Sequence, residues 1–595
     1  MTNGEVADIF EKIAEMLEIK GENVFKIKAY NNASRAISQL GESLEDLAGK
    51  NGLEDIPGIG KDLALKIKEI LDTGRLAYYD DLVKSIPGGL LELLKLRGMG
   101  PKKANMLYRD FHIKSIDGLE RAIEGKKLSE IHGFGEKTIE NLKKSIEEFK
   151  GFSERFLYVE AVKEALSLRA FLLNSVKDLI LKLEIAGSLR RKMETVGDVD
   201  FVAVLKRGGR DAFLEKIKNY EMVLRVESAG ETKISFVLKS GLRVDIRIVP
   251  EEDFVYAFHH FTGSRLHNEE LRTMVKREGY KINEYGIFRV HEGEKEDEGR
   301  KIIVKNETQF YGVFKMQLIP PELREGTGEI EASVKHLIPA LLREEDIKGV
   351  FHVHSTYTDG RDTLENMIEA AVKKGYEYIG VSDHSESARY AGGLTKHDLS
   401  LQLEFIDGLN RKYEGKIKIF KGIESDILAN GGLDYDDKTL SGLDFVIASV
   451  HSGFGISGKE MTERIIKAVK NPYTTMIGHL TGRLLLERNG YEVNVPEIIE
   501  ACSKYKTIIE LNANPKRLDI DWRHIKEAAS KSVLLSINPD AHRTVHYDFV
   551  EYGVNAARKG WATKKDILNT RTAGEALAIL KNIREYKLKM TSKND

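Results

Sequence analysis

Nine potential metal ligands recur through the C-terminal part of this chain, and several of them stand where a short apolar run ends. Runs such as YEYIGVSD, LDFVIASV and VLLSIN are typical of buried β-strands. Ligands at the ends of successive parallel strands converge on one mouth of a β/α barrel. The pattern therefore predicts a β/α barrel with a site for several metal ions, whose ligands are His352, His354, Asp359, His384, Glu424, His451, His479, Asp540 and His542.

The residue types of this series indicate the chemistry of the site. His352 and His354 are two residues apart, so both imidazoles lie on the same side of a strand and can share an ion. Imidazole and carboxylate without thiolate suit Mn²⁺, Zn²⁺ or Fe²⁺ better than Mg²⁺, and such ions activate water toward phosphorus. Arg483, Asn512 and Arg517 are candidates to hold the phosphate, although either arginine could form an ordinary surface ion pair.

Length and composition indicate a multidomain protein without membrane contact. With 595 residues the chain is too long for one hydrophobic core, and roughly three or four domains are expected. No apolar run reaches the ~18 residues of a membrane span, and we expect a polar helix rather than a signal peptide after Met1. The single cysteine, Cys502, excludes an internal disulfide and a cysteine-rich zinc module. We therefore expect a cytoplasmic protein.

Three similar segments recur in the N-terminal third at intervals of roughly 35 to 40 residues: LEDIPGIGKDLALKIKEIL, LLKLRGMGPKKANMLY and LSEIHGFGEKTIENLKKSI. Each predicts a short helix, a Gly-x-Gly turn and an amphipathic helix whose first amides can meet an anion. One such hairpin could be a mere connection between helices. Three of them, each followed by lysine, resemble helix-hairpin-helix motifs and predict sequence-independent binding of DNA phosphates. The glycines are Gly58, Gly60, Gly98, Gly100, Gly133 and Gly135, and the lysines are Lys61, Lys102, Lys103 and Lys137.

A second carboxylate pattern lies in the middle of the chain, in EIAGSLRRKMETVGDVDFVAVL and GLRVDIRIVP. Asp198 and Asp200 face the same side of a predicted strand, and Asp245 comes from a later strand. Three clustered carboxylates require cations, as in two-metal phosphoryl transfer. Gly187 and Ser188 open a predicted helix with amides and a hydroxyl suited to a triphosphate. An isolated D-x-D pair could be a solvated strand edge, but that alternative leaves the longer pattern unexplained.

The segments GSLRRKMETVGDVD, RVDIR, FTGSRLHNEELR and GYKINEYG resemble the palm and nucleotide-binding subdomain of family X DNA polymerases. The C-terminal ligand series resembles an intact PHP (polymerase and histidinol phosphatase) domain. Their pairing is similar to bacterial and archaeal PolX over nearly the whole chain. The resemblance implies a multidomain fold with an α-helical helix-hairpin-helix N-terminal region, an α/β nucleotidyltransferase palm and a C-terminal distorted (β/α)7 PHP barrel.

On this basis we expect the chain to divide into six segments. They are 1–85, an N-terminal helical domain with the first hairpin; 86–150, the second and third hairpins; 151–250, the palm; 251–318, the subdomain for dNTP and the nascent pair; 319–346, a linker; and 347–585, the PHP metal-dependent phosphoesterase domain. The charged segment HEGEKEDEGRK is expected to be an exposed loop.

The resemblance also implies roles for single residues of the polymerase part. The triad of Asp198, Asp200 and Asp245 would hold Mg²⁺ or Mn²⁺, and Asp245 would bind the ion that activates the primer 3′-hydroxyl. The residues expected around the dNTP are Gly187, Ser188, Arg191, Phe261, Thr262, Gly263, Asn268 and Arg272. His260 stands where the best-known family member has tyrosine, so exclusion of ribonucleotides either is weakened or falls to the backbone of this turn.

A lyase activity is a further candidate. Lys66 occupies the position of the lysine that forms a Schiff base with an abasic sugar in beta-like relatives, and Lys26 with Tyr30 match phosphate-binding residues of that subdomain. The chemistry requires a lysine with a depressed pKa, which the sequence does not show. The alternative is a solvated helix lysine.

The predicted function is that of a DNA-templated DNA polymerase that fills short gaps in base excision repair, coupled to a PHP 3′-5′ exonuclease or 3′-end-processing phosphoesterase with two or three ions. The expected partners are gapped or nicked duplex DNA and dNTPs, and the expected state is a monomer. The alternative is a PHP nuclease or phosphatase that uses its N-terminal half only as a DNA-binding platform, which the intact triad argues against. A small-molecule phosphatase would leave the hairpins and the palm unexplained.

Overall fold

The chain folds as two compact units, Met1–Glu154 and Arg155–Asp595. The structure is a computed structural model and describes residues 3–38, 40, 44–50, 52–94, 96, 99–125, 128, 134–153, 155–290 and 300–591. The predicted charged loop falls largely outside these ranges. Within them, every helix is too short or too polar to cross a bilayer.

The first unit is helical, as its amphipathic repeats predict. Its helices are α1 (Asn3–Ile19), α2 (Val24–Ser38), α3 (Leu44–Gly49), α4 (Lys61–Thr73), α5 (Ala77–Ser85), α6 (Gly88–Leu93), α7 (Pro101–Phe111), α8 (Ile116–Glu124) and α9 (Glu136–Ser153), with a 3₁₀ turn at Leu53–Asp55. One hydrophobic core extends from Val6 to Ile146 and crosses the predicted boundary at residue 85. The three hairpins are therefore parts of one packed body.

The second unit begins with the α/β region predicted as the palm. Its elements are β1 (Phe156–Leu157), α10 (Tyr158–Ser175), β2 (Ile180–Ile185), α11 (Gly187–Arg190), β3 (Thr195–Val196), β4 (Asp198–Leu205), α12 (Arg210–Lys218), β5 (Val223–Ala229), β6 (Lys233–Leu238) and β7 (Arg243–Ile248). Five strands form a sheet in the order β2-β4-β7-β6-β5, in which only β4 and β7 are parallel neighbours. This pairing places the two strands that carry the aspartates side by side.

A smaller subdomain follows the palm. It contains α13 (Phe254–Thr262), α14 (Arg265–Arg277), β8 (Tyr280–Asn283), β9 (Gly286–Arg289), β10 (Arg300–Ile302), α15 (Glu307–Gly312) and α16 (Glu329–Val334). The segment predicted as a linker, 319–346, is folded: Ile319, Leu323 and the whole side chain of Arg324 are buried. It therefore packs as part of this subdomain's core rather than extending between two bodies.

The C-terminal region is a barrel of alternating strands and helices. Its elements are β11 (Gly349–Val353), α17 (Leu364–Lys373), β12 (Tyr378–Val381), α18 (Lys396–Lys412), β13 (Lys418–Asp426), α19 (Asp437–Ser441), β14 (Phe445–Ser449), α20 (Gly458–Lys470), β15 (Met476–Ile477), α21 (Val495–Tyr505), β16 (Ile508–Asn512), α22 (Trp522–Ser530), β17 (Leu535–Asn538), α23 (Val550–Lys559) and α24 (Ala573–Thr591). Short 3₁₀ helices of this second unit lie at Lys177–Leu179, Glu251–Asp253, Pro321–Leu323, Glu344–Asp346, Arg389–Ala391, Thr544–Phe549, Lys564–Asp566 and Leu568–Thr570.

The seven barrel strands are all parallel and follow the chain order from β11 to β17. The ring is closed by hydrogen bonds from the amide of His354 to the carbonyl of Ala541 (2.9 Å) and from the amide of Ala541 to the carbonyl of His352 (3.0 Å). The predicted distorted (β/α)7 barrel is confirmed. Because parallel strands end at the same mouth, the ligands that follow them are brought together.

Candidate active sites

All nine predicted ligands meet at the mouth of the barrel. They form four overlapping groups in which the ligand atoms lie within 4.8 Å of one another. The groups are His354 with Asp359, His384 and His542; His352 with His354 and Glu424; His352 with His479 and Asp540; and His384 with Glu424 and His451. Because the groups share residues, they form one continuous cluster rather than separate sites. Such a cluster has room for more than one ion.

Glu424 lies at the centre of this cluster. Its Oε1 is 3.2 Å from Nε2 of His352, 3.3 Å from Nε2 of His451 and 3.0 Å from Nε2 of His479. Its Oε2 is 3.0 Å from Nδ1 of His384. Burial alone would raise the pKa of the Glu424 carboxyl, but the surrounding imidazoles outweigh it and hold that pKa well below its ordinary value. Glu424 is therefore ionised, and it would hold cations at the centre of the cluster.

Asp359 marks the more exposed end of the cluster. Its Oδ2 lies 3.3 Å from Nε2 of His542 and 3.6 Å from Nε2 of His384. Since Nδ1 of His384 faces Glu424, the two nitrogens of His384 connect both ends of the cluster. His352 and Asp540 adopt left-handed backbone conformations, with φ of 59° and 51°. Such strain in non-glycine residues is typical of functional sites.

The donor atoms fit bound metal ions. Among the described residues, both ring nitrogens of His354 are buried without a hydrogen-bond partner, and Nε2 of His352 and Nδ1 of His384 lie near Glu424 without the geometry of a hydrogen bond. A buried imidazole nitrogen without a partner is costly unless a ligand satisfies it. This cluster is therefore suited to divalent cations.

Two carboxylates that support the ligands were missed by sequence reasoning. Glu510 accepts hydrogen bonds from Nδ1 of His352 (2.6 Å) and from the amide of His479 (2.8 Å). Asp426 accepts from Nδ1 of His451 at 2.6 Å. Such bonds fix the tautomer and orientation of a metal-binding imidazole. The signal for Glu510 was available, since it is a lone acid inside the apolar run TIIELN.

The arginines predicted to hold phosphate occupy different environments. Arg517 lies at the mouth, with Nε 3.7 Å from Oδ2 of Asp540. Arg483 forms an ion pair with Asp521 and donates to the backbone carbonyls of Arg517 (2.9 Å) and Leu518. Arg483 thus supports the loop that carries Arg517. The predicted Asn512 donates to Asp540, at 3.1 Å.

Tyr390 is a further residue of the mouth that sequence reasoning missed. Its side chain is 64% exposed, and its ring centroid lies 5.8 Å from that of His384 and 6.1 Å from that of His451. An exposed aromatic ring beside a phosphoester site offers a stacking surface for a base.

The palm brings its three aspartates together on one face of the sheet. In the parallel register of β4 and β7, Asp200 lies directly opposite Asp245, and Asp198 lies two residues earlier on the same strand. Burial, followed by repulsion from Asp198 and Asp245, raises the pKa of Asp200 to about 7. Lys233, missed in the sequence, places Nζ 2.6 Å from Oδ2 of Asp245. Oδ1 of Asp245 is buried without a hydrogen-bond partner among the described residues, so the triad fits added cations.

The start of α11 approaches the triad closely. Gly187 has a φ of 62°, and a Cβ at this position would lie 2.2 Å from Oδ2 of Asp200. Only glycine satisfies both conditions. The predicted phosphate-binding turn, with Ser188 next in the chain, is therefore directly beside the predicted metal site.

The predicted phosphate and sugar contacts are joined through Thr262. Arg190 donates to Oγ1 of Thr262 at 2.8 Å, and Arg191 donates to its backbone carbonyl at 2.9 Å. Arg190 also pairs with Glu307 at 2.6 Å, and Arg324 pairs with the same carboxylate at 2.5 Å. Glu307 was missed by sequence reasoning because it lies more than one hundred residues from Arg190.

The remaining predicted dNTP contacts surround the turn after α13. Asn268 donates to the carbonyls of His260 (2.9 Å) and Gly263 (3.2 Å), which holds this turn in shape. The guanidinium of Arg247 lies 4.8 Å from the ring centroid of Phe261. A further predicted contact, Arg272, is exposed on α14.

The helical hairpins present open helix starts. Gly60 and Gly100 are the N-cap residues of α4 and α7, and the carbonyl of Gly135 accepts hydrogen bonds at the start of α9. A Cβ at any of these three glycines would meet nothing within 4 Å, so a phosphate can approach. Gly58 has a φ of 85° in the first turn, whereas the predictions for Gly98 and Gly133 lie outside the described residues. Lys61, Lys102 and Lys137 are exposed, and Lys103 lies over the ring of Phe134.

Lys66 is not the solvated lysine of the alternative interpretation. Its side chain is 16% exposed, forms an ion pair with Asp62 and lies 5.3 Å from the ring centroid of Tyr78. Lys26 lies at the same distance from this ring, and Tyr30 stacks on it. The residues predicted for abasic-site chemistry are therefore gathered around one aromatic side chain.

Comparison with known proteins agrees with this arrangement. Residues 1–76 match the family described as Helix-hairpin-helix domain, 90–148 the SAM-like Helix-hairpin-helix tandem, 257–325 the DNA polymerase beta thumb and 351–514 the PHP domain. A probable phosphatase of Caldicellulosiruptor bescii is 35% identical over 190 residues, which cover 30% of this chain and 73% of that protein. A probable phosphatase of Thermoanaerobacter sp. (strain X514) is 29% identical over 230 residues, which cover 37% of this chain and 85% of that protein.

One similarity extends over both halves of the chain. The DNA polymerase/3′-5′ exonuclease PolX of Bacillus subtilis (strain 168) is 38% identical over 585 residues, which cover 98% of this chain and 100% of that protein. This similarity therefore spans the helical hairpins, the palm and the barrel of the chain. The chain belongs to the family X DNA polymerases of the PolX type, which carry a C-terminal PHP domain.

Proposed function

We propose that the two carboxylate-containing centres divide the two activities of the family between them. Templated extension of a primer belongs to the palm, and 3′-5′ exonucleolytic removal of nucleotides belongs to the mouth of the PHP barrel. The observation that supports this division is that each centre is complete on its own elements: the triad lies on two paired strands, and the nine ligands lie on one barrel. The chain is thus a repair polymerase that can process a 3′ end and then extend it.

The donor sets differ in the ions that they suit. The carboxylates Asp198, Asp200 and Asp245 would hold Mg²⁺ or Mn²⁺, whereas the imidazole-rich set of the barrel would hold two or three ions of Mn²⁺, Zn²⁺ or Fe²⁺. Bound divalent ions supply Lewis-acid activation of the attacking oxygen and charge stabilisation at phosphorus.

The remaining residues of the polymerase site bind and orient the dNTP. Ser188 and Arg191 lie on the phosphate side, next to Gly187, and bind the triphosphate. The turn of Phe261, Thr262 and Gly263 contacts the sugar, with Asn268 toward the base and Arg272 toward the template. In this assignment the carbonyls held by Asn268, rather than the His260 side chain, border the ribose.

At the barrel mouth, two side chains are in position to bind the DNA 3′ end. Arg517 binds a phosphate beside Asp540, and Tyr390 stacks on the terminal base. Arg483 acts on this site through the loop that it supports. Phosphate binding by the helical hairpins, at Gly60, Gly100 and Gly135, provides sequence-independent DNA binding. Lyase activity at Lys66, a monomeric state and a cytoplasmic location stay predictions.

A three-protein assay tests the division of activities. Wild type, Asp198→Ala/Asp200→Ala and His352→Ala/His354→Ala are each incubated with a duplex that contains a one-nucleotide gap and with Mn²⁺, with and without dNTPs. We expect extension to disappear only in the aspartate variant and trimming to disappear only in the histidine variant. Trimming without extension by wild type would contradict the polymerase assignment and support the nuclease on a DNA-binding platform.

Matched surface variants serve as controls. Within the part of the chain that the structure describes, the exposed Asp211 of α12 pairs with its neighbour Arg210, and His397 is exposed on α18. Asp211→Ala and His397→Ala remove the same side-chain types from the same two regions, and both activities are expected to match those of wild type. Loss of activity in either control would assign the effects to folding rather than to the two centres.

A further inference from the structure

The PHP barrel contributes a buried lysine to the neighbourhood of the polymerase site. Lys559 is the last residue of α23, and its side chain has 0% exposure. Its Nζ donates to the backbone carbonyl of Arg191 at 3.1 Å and forms an ion pair with Glu325. A lysine is almost never fully buried without a specific partner. Here the hydrogen-bonding partners belong to the palm and to the end of the region that matches the thumb, residues 257–325, while the ring of Trp522 in the barrel lies 4.7 Å from Nζ.

Glu325 lies between two cations. Its Oε1 accepts from Nε of Arg191 at 2.9 Å and pairs with Lys559 through the same oxygen. Arg191 is also fixed by the bond from Nη1 to the carbonyl of Thr262. Within the described residues the hydrogen bonds of this guanidinium use Nε and Nη1, and Nη2 is left for a ligand. Arg191 is therefore held in one orientation by Glu325, which is itself held by Lys559.

The charges of this cluster add to one positive unit, because Arg191 and Lys559 share the single carboxylate of Glu325. All three groups are largely or fully buried, where charge interactions are stronger than in water. Without the lysine, Arg191 and Glu325 form a neutral pair, and the carboxylate competes directly with a triphosphate for the guanidinium. With the lysine, the carboxylate is shared and a positive charge remains for an anionic ligand.

We propose that Lys559 of the PHP domain is a positioning residue of the polymerase reaction, which holds Glu325 and the Arg191 backbone so that Arg191 binds the triphosphate of the incoming dNTP. This inference rests on the proposed role of Arg191 in dNTP binding. It makes the exonuclease domain part of the scaffold of the polymerase site. The effect acts on dNTP affinity and not on the metal cluster of the barrel, because the hydrogen bonds of Lys559 within the described residues go to Arg191, Glu322 and Glu325 and to no ligand of that cluster.

The adjacent residue provides a matched control. Arg558 lies at the same surface, where it pairs with Glu322 at 2.9 Å and donates to the carbonyl of Leu342 at 2.8 Å. Its guanidinium therefore docks the barrel against the preceding region without a bond to Arg191. Arg558→Met removes a positively charged side chain from the same helix, together with its ion pair at the same surface.

The test uses the full chain with Lys559→Met, Lys559→Gln, Lys559→Arg, Arg558→Met and Arg191→Ala. For each protein the kcat and the KM for dNTP are measured in single-nucleotide gap filling, together with the 3′-5′ exonuclease rate and the melting temperature. We expect Lys559→Met and Lys559→Gln to raise the KM about tenfold, the effect of losing one favourable charge contact, with kcat and exonuclease rate within about twofold of wild type. Lys559→Arg restores most of the affinity, and Arg558→Met leaves the KM unchanged.

Each other outcome has a distinct meaning. An equal rise in KM for Lys559→Met and Arg558→Met would overturn the inference, because the lysine would then act only in docking. An unchanged KM in both Lys559→Met and Lys559→Gln, with a raised KM in Arg191→Ala, would overturn it while leaving the role of Arg191 intact. An unchanged KM in Arg191→Ala would instead reject the proposed function of Arg191. The melting temperature and the exonuclease rate report whether Lys559→Met folds. If it does not fold, Lys559→Gln tests the inference, since glutamine keeps a hydrogen-bond donor without the charge.

Discussion

The palm and the barrel mouth both gather carboxylates for metal-dependent chemistry at phosphorus, but they neutralise negative charge in opposite ways. In the palm, burial and repulsion from Asp198 and Asp245 raise the pKa of Asp200 to about 7, although the cations Arg247 and Lys233 act in the opposite direction. In the barrel, the imidazoles around Glu424 outweigh its burial and hold its pKa well below the ordinary value. A carboxylate triad thus needs added cations to ionise fully, whereas a mixed cluster of carboxylates and imidazoles is compensated from within.

This difference follows from the number of strands that each site uses. Two neighbouring strands of one sheet supply the whole palm triad, so like charges come to lie side by side. Six of the seven barrel strands supply the nine ligands of the other cluster, so acids and imidazoles reach its centre from many directions. The barrel can therefore keep its ligands oriented in advance, at the cost of burying many polar groups.

The largest expected effect is on the exonuclease, through the acid at the centre of the cluster. Glu424→Gln removes the charge that faces three imidazoles through Oε1 and two more through Oε2. We expect the exonuclease rate to fall on the order of 10³-fold, since charge stabilisation at phosphorus depends on the bound ions, while gap filling is unchanged. Both rates are measured on the same gapped duplex. Exonuclease activity near the wild-type rate would show that the barrel cluster is not the exonuclease site.

A smaller effect is expected from the acid behind the ligands. Glu510→Gln weakens the hydrogen bonds to the His352 ring and to the His479 amide without removing a proposed ligand. The expected result is a loss of metal affinity of about 10- to 100-fold, measured by competition with a chelator, with exonuclease activity recovered by excess Mn²⁺. Glu500→Gln, at an exposed glutamate of α21, is the control. Activity that stays low at saturating Mn²⁺ would give Glu510 a role beyond orienting the histidine.

The smallest effect is the most direct test of the comparison, because its sign differs between the two sites. An acid whose folded-state pKa is raised from 3.8 to about 7 opposes folding increasingly as the pH rises through that interval. An acid with a lowered folded-state pKa, such as Glu424, stabilises the fold above its unfolded pKa and loses this as the pH falls through its folded pKa. At pH 8 in EDTA, Asp200→Asn should therefore raise the melting temperature by about 2 °C or more, and Glu424→Gln should lower it.

Matched substitutions separate these electrostatic effects from a general effect of adding an amide. Asp211→Asn on α12 and Glu463→Gln on α20 change exposed acids of the same two regions, and the melting temperature should stay unchanged. A melting temperature that moves in the same direction for Asp200→Asn and Glu424→Gln would contradict the stated difference between the two sites.

Much of the architecture was predictable because its signals are local. Alternation along β4 places Asp198 and Asp200 on one face, and Gly187 is required where the turn approaches Asp200. The nine barrel ligands could be found because strand-end positions in a barrel share one mouth, and the structure brings all nine together. Packing was not predictable in the same way: the prolines and glycines of segment 319–346 predicted a connection between two modules, and the structure adds that Leu323 and Arg324 are buried there.

The sequence by itself determined the fold class, the two sets of ionisable residues and the membership of the chain in its family. These features could be predicted because periodicity, glycine turns and ligand types are local properties of short segments. Only the tertiary structure decided which charges face one another. Glu510 supports His352 across 158 positions, and Glu325 meets Lys559 across 234. These pairings depend on how barrel, thumb region and palm pack, and burial then sets their strength, because the same ions in water would interact only weakly.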